Sequence, residues 1–286
     1  MSEVKTYPVP ADFAAQANIT ADQYEEMYKR SVEDPAGFWG EQAEQYLTWF
    51  KKWDSVLDWS FDKEDLHINW FKGGKLNVSY NCLDRHLESR GDQVAIIWEG
   101  DDPNEDRKIT YKELHEEVCK FANVLKDRGV KKGDRVSLYL PMIPEAAVAM
   151  LACTRIGAMH SIVFGGFSPD SLADRIVDSS CEFLITTDGV MRGAKAVPLK
   201  GNADEAMNLA GKQGVNVRTC IVYERVGSDK VKIDKDVSIS YTDADRDVSE
   251  RDADAGADGR AQGDAQGDGL GFLFFAHARY LRSVVD

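Results

Sequence analysis

The chain has 286 residues, of which 43% are apolar and 29% are charged, and its formal net charge is −14. This length allows one large α/β domain or two smaller ones, and ten Tyr, twelve Phe and six Trp argue against disorder over most of the chain. The acidic charge argues against partners such as nucleic acid or an anionic membrane, because no block of Lys and Arg overrides it.

The N-terminus and the cysteines indicate a cytoplasmic protein. Residues 1–16 carry acids and two prolines instead of a basic and then apolar signal sequence, and no run of 18 apolar residues occurs. The five cysteines are an odd number without a C-x-x-C pair, which indicates neither a zinc site nor a disulfide framework. We predict reduced, mostly buried thiols and no bound metal.

Residues 1–84 are rich in aromatic side chains and poor in the alternation that strands show. The large side chains between residues 31 and 59 are Phe38, Trp39, Tyr46, Leu47, Trp49, Phe50, Trp53 and Trp59. So many rings must pack on something larger than a lone pair of helices. We predict an N-terminal extension of short helices that lies against the main body.

Residues 85–240 are predicted to form the first subdomain of an α/β fold. The predicted strands are 93–99, 135–140, 160–164, 182–186 and 219–223, and the predicted helices are 110–129, 144–156, 169–178 and 199–212. The helix after Thr110 begins with a capping box, because Glu113 stands three residues later. Strands that alternate with helices indicate a doubly wound, mostly parallel sheet.

His115 resembles part of a metal motif but does not complete it. Two glutamates follow it, whereas the zinc motif requires H-E-x-x-H. In the predicted helix it lies on the polar side, away from the apolar stripe. We expect His115 to face solvent.

Chemistry in doubly wound sheets lies at the carboxyl ends of the strands. One predicted strand runs into Phe164, Gly165 and Gly166, and Ser168 then caps the next helix. Backbone N–H groups and the positive end of that helix meet here, which favours an anion or a closely packed ligand. The alternative is a tight turn in which the glycines adopt positive φ.

A second strand end leads into a predicted loop over residues 187–195. Arg192 and Lys195 stand three residues apart in it, and such a pair can hold a phosphate. The alternative is an ordinary solvated loop.

Several segments resemble AMP-forming acetyl-CoA synthetases of the adenylate-forming ligase superfamily. They are NVSYNCLDRH (77–86), residues 95–100, ITYKEL (109–114), KGDRVSLYLPMIPEAAVAMLA (132–152), RIGAMHSIVFGGFS (155–168) and residues 191–200. The resemblance spans roughly residues 10–235. It implies that acetate attacks the α-phosphate of ATP and that the thiol of coenzyme A then displaces AMP from acetyl-AMP. Propionyl-CoA and acetoacetyl-CoA synthetases carry similar segments, which leaves the acyl group open.

The resemblance also implies binding residues for coenzyme A. They are Arg192, Gly193, Ala194 and Lys195 in the loop, and Phe164, Gly165 and Gly166 in the turn. In the family the loop holds the 3′-phosphate of the coenzyme A nucleotide, so Arg192 and Lys195 are the implied cations. Ala194 stands where the family usually has Gly, and a positive φ there would cost about 1 kcal/mol.

Other parts of the family's machinery do not occur in the sequence. The phosphate loop T-S-G-S-T-G-x-P-K-G, expected near residue 240, is absent, and the resemblance implies that the magnesium, ATP and acetate sites are absent as well. We therefore expect no catalytic residue and no bound cofactor, since ATP and coenzyme A are substrates and Mg²⁺ belongs to the complete enzymes. The chain is expected to be inactive alone; the alternative is a non-catalytic fragment that binds at most the nucleotide end of coenzyme A.

Residues 241–286 are predicted to be a low-complexity tail outside the family. Between residues 243 and 269, 19 of 27 residues are Asp, Ala or Gly. Such a segment cannot bury enough apolar surface to offset its loss of backbone entropy, so we predict disorder. We interpret the tail as an out-of-frame continuation, with a native low-complexity tail as the alternative.

Overall fold

The computed structural model describes residues 5–193, 195–227 and 238–240. The described residues form two compact units, one up to Lys75 and one from Leu76 onward. The predicted disorder of residues 243–269 lies outside the described residues. The predicted domain limits at residues 84 and 240 stay predictions.

The first unit begins with three helices. They are α1 (Ala11–Ala15), α2 (Ala21–Glu33) and α3 (Pro35–Tyr46). Side chains cap the two longer helices: the Thr20 hydroxyl accepts a hydrogen bond from the N–H of Gln23, and the Asp34 carboxylate accepts one from the N–H of Gly37. The prediction of short helices is confirmed for this part of the chain.

A β-hairpin follows, and here the prediction of helices alone was wrong. β1 (Ser55–Ser60) pairs antiparallel with β2 (His67–Lys72). Phe71 is the one buried residue of the two strands, so they lack the alternation of buried and exposed residues that marks a half-buried strand. The Phe71 ring packs against Trp49 and Trp53 with centroids 5.3 and 5.1 Å apart, which accounts for part of the aromatic density.

The second unit opens with a helical turn and a small sheet. Its first elements are a π-helical turn (Tyr80–Asp84), α4 (Arg85–Arg90), β3 (Val94–Glu99), β4 (Asp106–Thr110) and α5 (Tyr111–Asp127). The predicted strand is present as β3, and it pairs antiparallel with β4, which was not predicted. The predicted capping box is confirmed, because the Glu113 carboxylate accepts a 2.8 Å hydrogen bond from the N–H of Thr110.

A five-stranded parallel sheet forms the centre of the second unit. The elements that follow α5 are β5 (Arg135–Leu140), α6 (Pro144–Arg155), β6 (Met159–Phe164), α7 (Pro169–Asp178), β7 (Phe183–Thr187), β8 (Gly189–Arg192), β9 (Lys195–Pro198), α8 (Lys200–Lys212), β10 (Thr219–Tyr223) and β11 (Ser238–Ser240). The strand order is β11-β10-β7-β5-β6, with every neighbouring pair parallel. β8 and β9 form a separate antiparallel hairpin.

Helices cover both faces of this sheet. One cluster of buried side chains joins α5 and α6 to Leu138 and Ile185, and the other joins α7 and α8 to Tyr139 and Leu184. Neighbouring strand residues belong to opposite clusters because successive side chains point to opposite faces of a sheet. The predicted doubly wound, parallel α/β fold is therefore confirmed.

The order of the strands shows where a ligand is expected to bind. The chain passes from β5 to β6 on one side and then to β7 on the other side, so its direction reverses between β5 and β7. Doubly wound sheets bind ligands at the carboxyl ends of the strands beside such a reversal. The three strands end at Leu140, Phe164 and Thr187.

The cysteines are free thiols. Cys153, Cys181 and Cys220 are buried, and Cys82 and Cys119 are partly exposed. Burial raises the pKa of the Cys153 thiol to about 12. A thiol held in its neutral form is a poor nucleophile, so Cys153 has a packing role.

Candidate functional site

The two segments singled out in the sequence meet near the carboxyl end of β6. A Cβ atom placed on Gly166 would lie 3.2 Å from Nη2 of Arg192, so the guanidinium rests close to the glycine backbone. Phe164, Gly165, Gly166 and Arg192 line one cavity of about 320 Å³, a volume in the range of small-ligand sites. The structure thus brings both predicted segments to one place.

Gly166 is required for space, and neither Gly165 nor Gly166 is required for backbone conformation. Neither adopts a positive φ, so the alternative of a turn that needs positive φ was wrong. A Cβ on Gly166 would lie 2.6 Å from the Phe164 ring, and one on Gly165 would lie 3.4 Å from the carbonyl oxygen of Leu140. Glycine at position 166 lets a ring and a guanidinium approach the main chain, whereas a Cβ at position 165 would make an ordinary contact.

Hydrogen bonds anchor the turn that carries these glycines. The Tyr139 hydroxyl donates to the carbonyl oxygen of Phe167 at 2.7 Å, and Ser168 caps α7 as predicted. In the part of the chain that the structure describes, the N–H of Gly166 donates to no group, whereas the pairing of Leu140 with Phe164 directs the N–H of Gly165 to the carbonyl oxygen of Leu140. One backbone donor therefore remains available beside the start of a helix, where an anion is favoured.

Residues 187–195 do not form the predicted loop. They contain β8 and the start of β9, and Arg192 lies directly opposite Lys195 in the register of this hairpin. Gly193 supplies the positive φ of +57° at the turn. Ala194 lies outside the described residues, so the strain expected there stays a prediction. The sequence signal for the hairpin was weak because each strand has four residues.

The hairpin holds two like charges side by side. Arg192 and Lys195 are both exposed, and no carboxylate among the described residues forms an ion pair with either. Like charges directly opposite each other in a sheet are destabilising. An anion bound between them would remove that cost, so the arrangement favours a phosphate or a similar group.

Asp188 fixes the base of this hairpin, and sequence reasoning did not single it out. Its buried carboxylate accepts hydrogen bonds from the N–H groups of Gly189, Arg225, Val226 and Gly227 at 2.7 to 3.2 Å. Four backbone donors from two segments therefore converge on one side chain. An Asp before a Gly at the end of a strand is also typical of a simple turn, which hides this role in the sequence.

His115 does not face solvent, contrary to the prediction. Its Nε2 lies 3.4 Å from Oδ1 of Asp84 and 3.5 Å from Sγ of Cys119, and 22% of its side chain is exposed. Arg155 donates to both oxygens of the same carboxylate at 2.8 and 3.0 Å. The prediction failed because the π-helical turn and α4 pack against this side of α5.

Hydrogen bonds that the protonated imidazole donates to the Asp84 carboxylate and to Cys119 raise the pKa of His115 to about 9, although burial lowers it. We expect the free energy of unfolding to fall as the pH rises from about 6.5 to 9, because the folded chain binds this proton more tightly than the unfolded chain does. The stabilisation is complete below the unfolded pKa and is lost as the pH passes the folded pKa. Urea titrations at about pH 6 and about pH 9.5 measure this change. Between the two pH values, the free energy of unfolding should fall by about 1 to 2 kcal/mol more in the unaltered chain than in His115→Gln. Equal losses would contradict this assignment.

Within the described residues, no group of three or more His, Cys, Asp or Glu side chains could hold a metal ion. No helix in the same residues is both long and apolar enough to cross a bilayer.

Two family models match the chain in succession. A model described as "Acetyl-coenzyme A synthetase N-terminus" matches residues 24–82, and one described as "AMP-binding enzyme" matches residues 83–257. The chain belongs to the AMP-binding enzyme family. The second match continues past residue 235, where the quoted resemblance ends.

Within this family, the chain is similar to proteins named acetyl-coenzyme A synthetase. It is 65% identical over 224 residues to an acetyl-coenzyme A synthetase of Magnetococcus marinus and 59% identical over 249 residues to one of Alkalilimnicola ehrlichii. These alignments cover 78% and 87% of this chain but 34% and 38% of the two relatives. The chain spans about a third of the length of the curated relatives it matches.

A solved structure agrees with the fold. The acetoacetyl-CoA synthetase of Streptomyces lividans superposes with a TM-score of 0.68 at 25% sequence identity. The alignment covers 81% of this chain and 34% of that chain. The match supports the fold class and again spans about a third of the larger protein.

Proposed function

We propose that the chain supplies the site for the nucleotide end of coenzyme A in an AMP-forming acetate–CoA ligase. In that reaction the carboxylate of acetate attacks the α-phosphate of ATP and pyrophosphate leaves. The thiol of coenzyme A then attacks the carbonyl carbon of acetyl-AMP, and AMP leaves. Relatives named acetyl-coenzyme A synthetase support acetate, while a propionyl-CoA synthetase remains the alternative for the acyl group.

The observation that carries this proposal is the pair of opposed cations in the β8–β9 hairpin, of which Arg192 lies beside Gly166 and lines the cavity while Lys195 does not line it. The 3′-phosphate of coenzyme A carries two negative charges, which match Arg192 and Lys195 across the hairpin. The turn offers the backbone N–H of Gly166 to the same ligand, and Phe164, which is 62% exposed, offers it a ring. We include Gly193 and Ala194 in the site as the residues that join the two cations.

Calorimetric titration of the chain with coenzyme A and with dephospho-coenzyme A tests this proposal. The two ligands differ only in the 3′-phosphate, so a difference in affinity reports on the group that contacts it. Equal affinities would contradict the assignment of Arg192 and Lys195.

We further propose that these 286 residues alone do not form acetyl-AMP. Phosphoryl and adenylyl transfer need preorganised donors and cations on the β- and γ-phosphates, and the sequence contains no phosphate loop of the family's form. Incubation of the chain with acetate, ATP, Mg²⁺ and labelled pyrophosphate should give no labelled ATP above a control without protein. Acetate-dependent exchange above that control would contradict the proposal.

We propose a cytoplasmic protein whose partners are small-molecule substrates, with neither nucleic acid nor a membrane among them. The net charge of −14 supports the exclusion of polyanionic partners. In this proposal, ATP, acetate and Mg²⁺ bind to a complete enzyme, and these 286 residues alone carry out no chemical step with them.

A further inference from the structure

Cys119 lies in a cluster of charged side chains that the proposed function does not use. Its Sγ lies 3.5 Å from Nε2 of His115, which stands four residues earlier on α5. Nη2 of Arg155, the last residue of α6, lies 3.4 Å from the same nitrogen. The Asp84 carboxylate of the π-helical turn pairs with both of these cations. The thiol is partly exposed, so a small molecule can reach it.

The charges of this cluster favour a negative charge on the sulfur. His115 keeps its proton at neutral pH, because hydrogen bonds to Asp84 and Cys119 raise its pKa to about 9. The Asp84 carboxylate balances one of the two positive charges, and both cations interact electrostatically with Cys119. A thiolate at Cys119 would balance the other charge. The thiolate is the form of cysteine that acts as a nucleophile, and neighbouring cations stabilise it.

The other charged groups near His115 surround a second cavity, of about 490 Å³, which is separate from the one that Arg192 lines. They are Glu88, Arg90 and Asp92 from α4 and the turn after it, and Lys112 and Glu116 from α5. Cys119 does not line this cavity, but the imidazole that it contacts does. The space beside the thiol therefore offers both signs of charge. It suits an amino acid or peptide disulfide, which carries ammonium and carboxylate groups in addition to its S–S bond.

We propose that Cys119 is a modification site at which a small zwitterionic disulfide forms a mixed disulfide with the chain. The Cys119 sulfur attacks one sulfur of the reagent, a new S–S bond forms, and the S–S bond of the reagent breaks. The second sulfur of the reagent leaves as a thiolate and takes up the proton that Cys119 has lost. His115 is a positioning residue, because it holds a positive charge beside the attacking sulfur. The proposal is independent of the proposed function, whose residues lie on other elements.

The rates of mixed-disulfide formation at the individual cysteines of the 286-residue chain test this proposal. The reduced chain is incubated with an excess of oxidised glutathione at about pH 7, and peptide mass spectrometry follows the modified fraction of each thiol. Cys119 should react on the order of 10-fold faster than Cys82, which is also partly exposed but whose thiol pKa is raised by burial. Equal rates at these two thiols would overturn the proposal. Alkylation of Cys119 by uncharged iodoacetamide without formation of the mixed disulfide would overturn the choice of a disulfide.

Three variants test whether the charge of His115 promotes the reaction. His115→Gln should slow mixed-disulfide formation at Cys119 on the order of 10-fold, and His115→Lys, which restores a positive charge, should recover part of the rate. Lys120→Gln removes an exposed cation from the next position of α5 and should change the rate by less than about twofold. Equal slowing by His115→Gln and Lys120→Gln, or no recovery in His115→Lys, would overturn the role of His115.

Discussion

Replacement of Asp188 by alanine is expected to lower the free energy of unfolding by about 3 kcal/mol. The carboxylate is buried and accepts hydrogen bonds from four backbone N–H groups, at Gly189, Arg225, Val226 and Gly227. Removal of the acceptor leaves these donors without a partner in a site that water does not reach freely. Urea unfolding followed by circular dichroism measures the loss.

Two further variants show whether the loss comes from the hydrogen bonds of Asp188. Asp188→Asn retains the side-chain volume and one acceptor oxygen, so its loss should be smaller than that of Asp188→Ala. Asp174→Asn removes an exposed carboxylate of α7 and should change the stability by less than about 0.5 kcal/mol. A loss below about 1 kcal/mol for Asp188→Ala would show that the four hydrogen bonds do not hold the hairpin.

Local signals predicted the helices of the second unit well. The capping box at Thr110 and the Ser168 cap followed by Pro169 mark helix starts through their own side chains. The strands between these helices are short buried runs, such as Phe183–Thr187, in which every residue is buried. Alternation of the two element types then led to the correct sheet.

The hairpins were missed because they carry no such local signal. The strands Gly189–Arg192 and Lys195–Pro198 are half-exposed, and Asp188 holds the base of their hairpin through hydrogen bonds from residues 225–227 that form only in the folded chain. The hairpin β1–β2 is stabilised by rings from outside its own strands. Neither source of stability produces a periodic pattern of apolar residues in the sequence.

The residues of the candidate site also differ in whether local sequence signals could predict them. Arg192 and Gly166 could be predicted because cations and paired glycines are rare combinations at strand ends. Trp98, which also lines the cavity, could not be predicted from the sequence. Its strand β3 precedes the parallel sheet and reaches the cavity only through tertiary packing. His115 was misjudged for the related reason that Asp84 and Arg155 reach it from two other elements.

Replacement of Arg192 by alanine is expected to abolish most of the preference for coenzyme A over dephospho-coenzyme A. Two cations that face a doubly charged phosphate on an exposed hairpin should contribute on the order of 1 to 3 kcal/mol, or about 5- to 150-fold in affinity. Removal of the phosphate and removal of its main partner break the same interaction, so the two losses should not add. Calorimetric titration of both ligands into the 286-residue chain and its variant measures the coupling.

The proposed contact also predicts how this preference responds to charge and salt. Arg90→Ala removes an exposed cation of α4 that does not line the cavity, and it should leave the preference unchanged despite the same change in net charge. Lys195→Ala should reduce the preference less than Arg192→Ala does, because a guanidinium can bind phosphate through two parallel hydrogen bonds and an ammonium acts as a point charge. Salt at about 0.5 M should weaken the binding of coenzyme A more than the binding of dephospho-coenzyme A, since interactions between exposed charges are strongly screened. A preference that survives in Arg192→Ala, or one that Arg90→Ala reduces equally, would mean that the net field of the protein binds the phosphate instead of this hairpin.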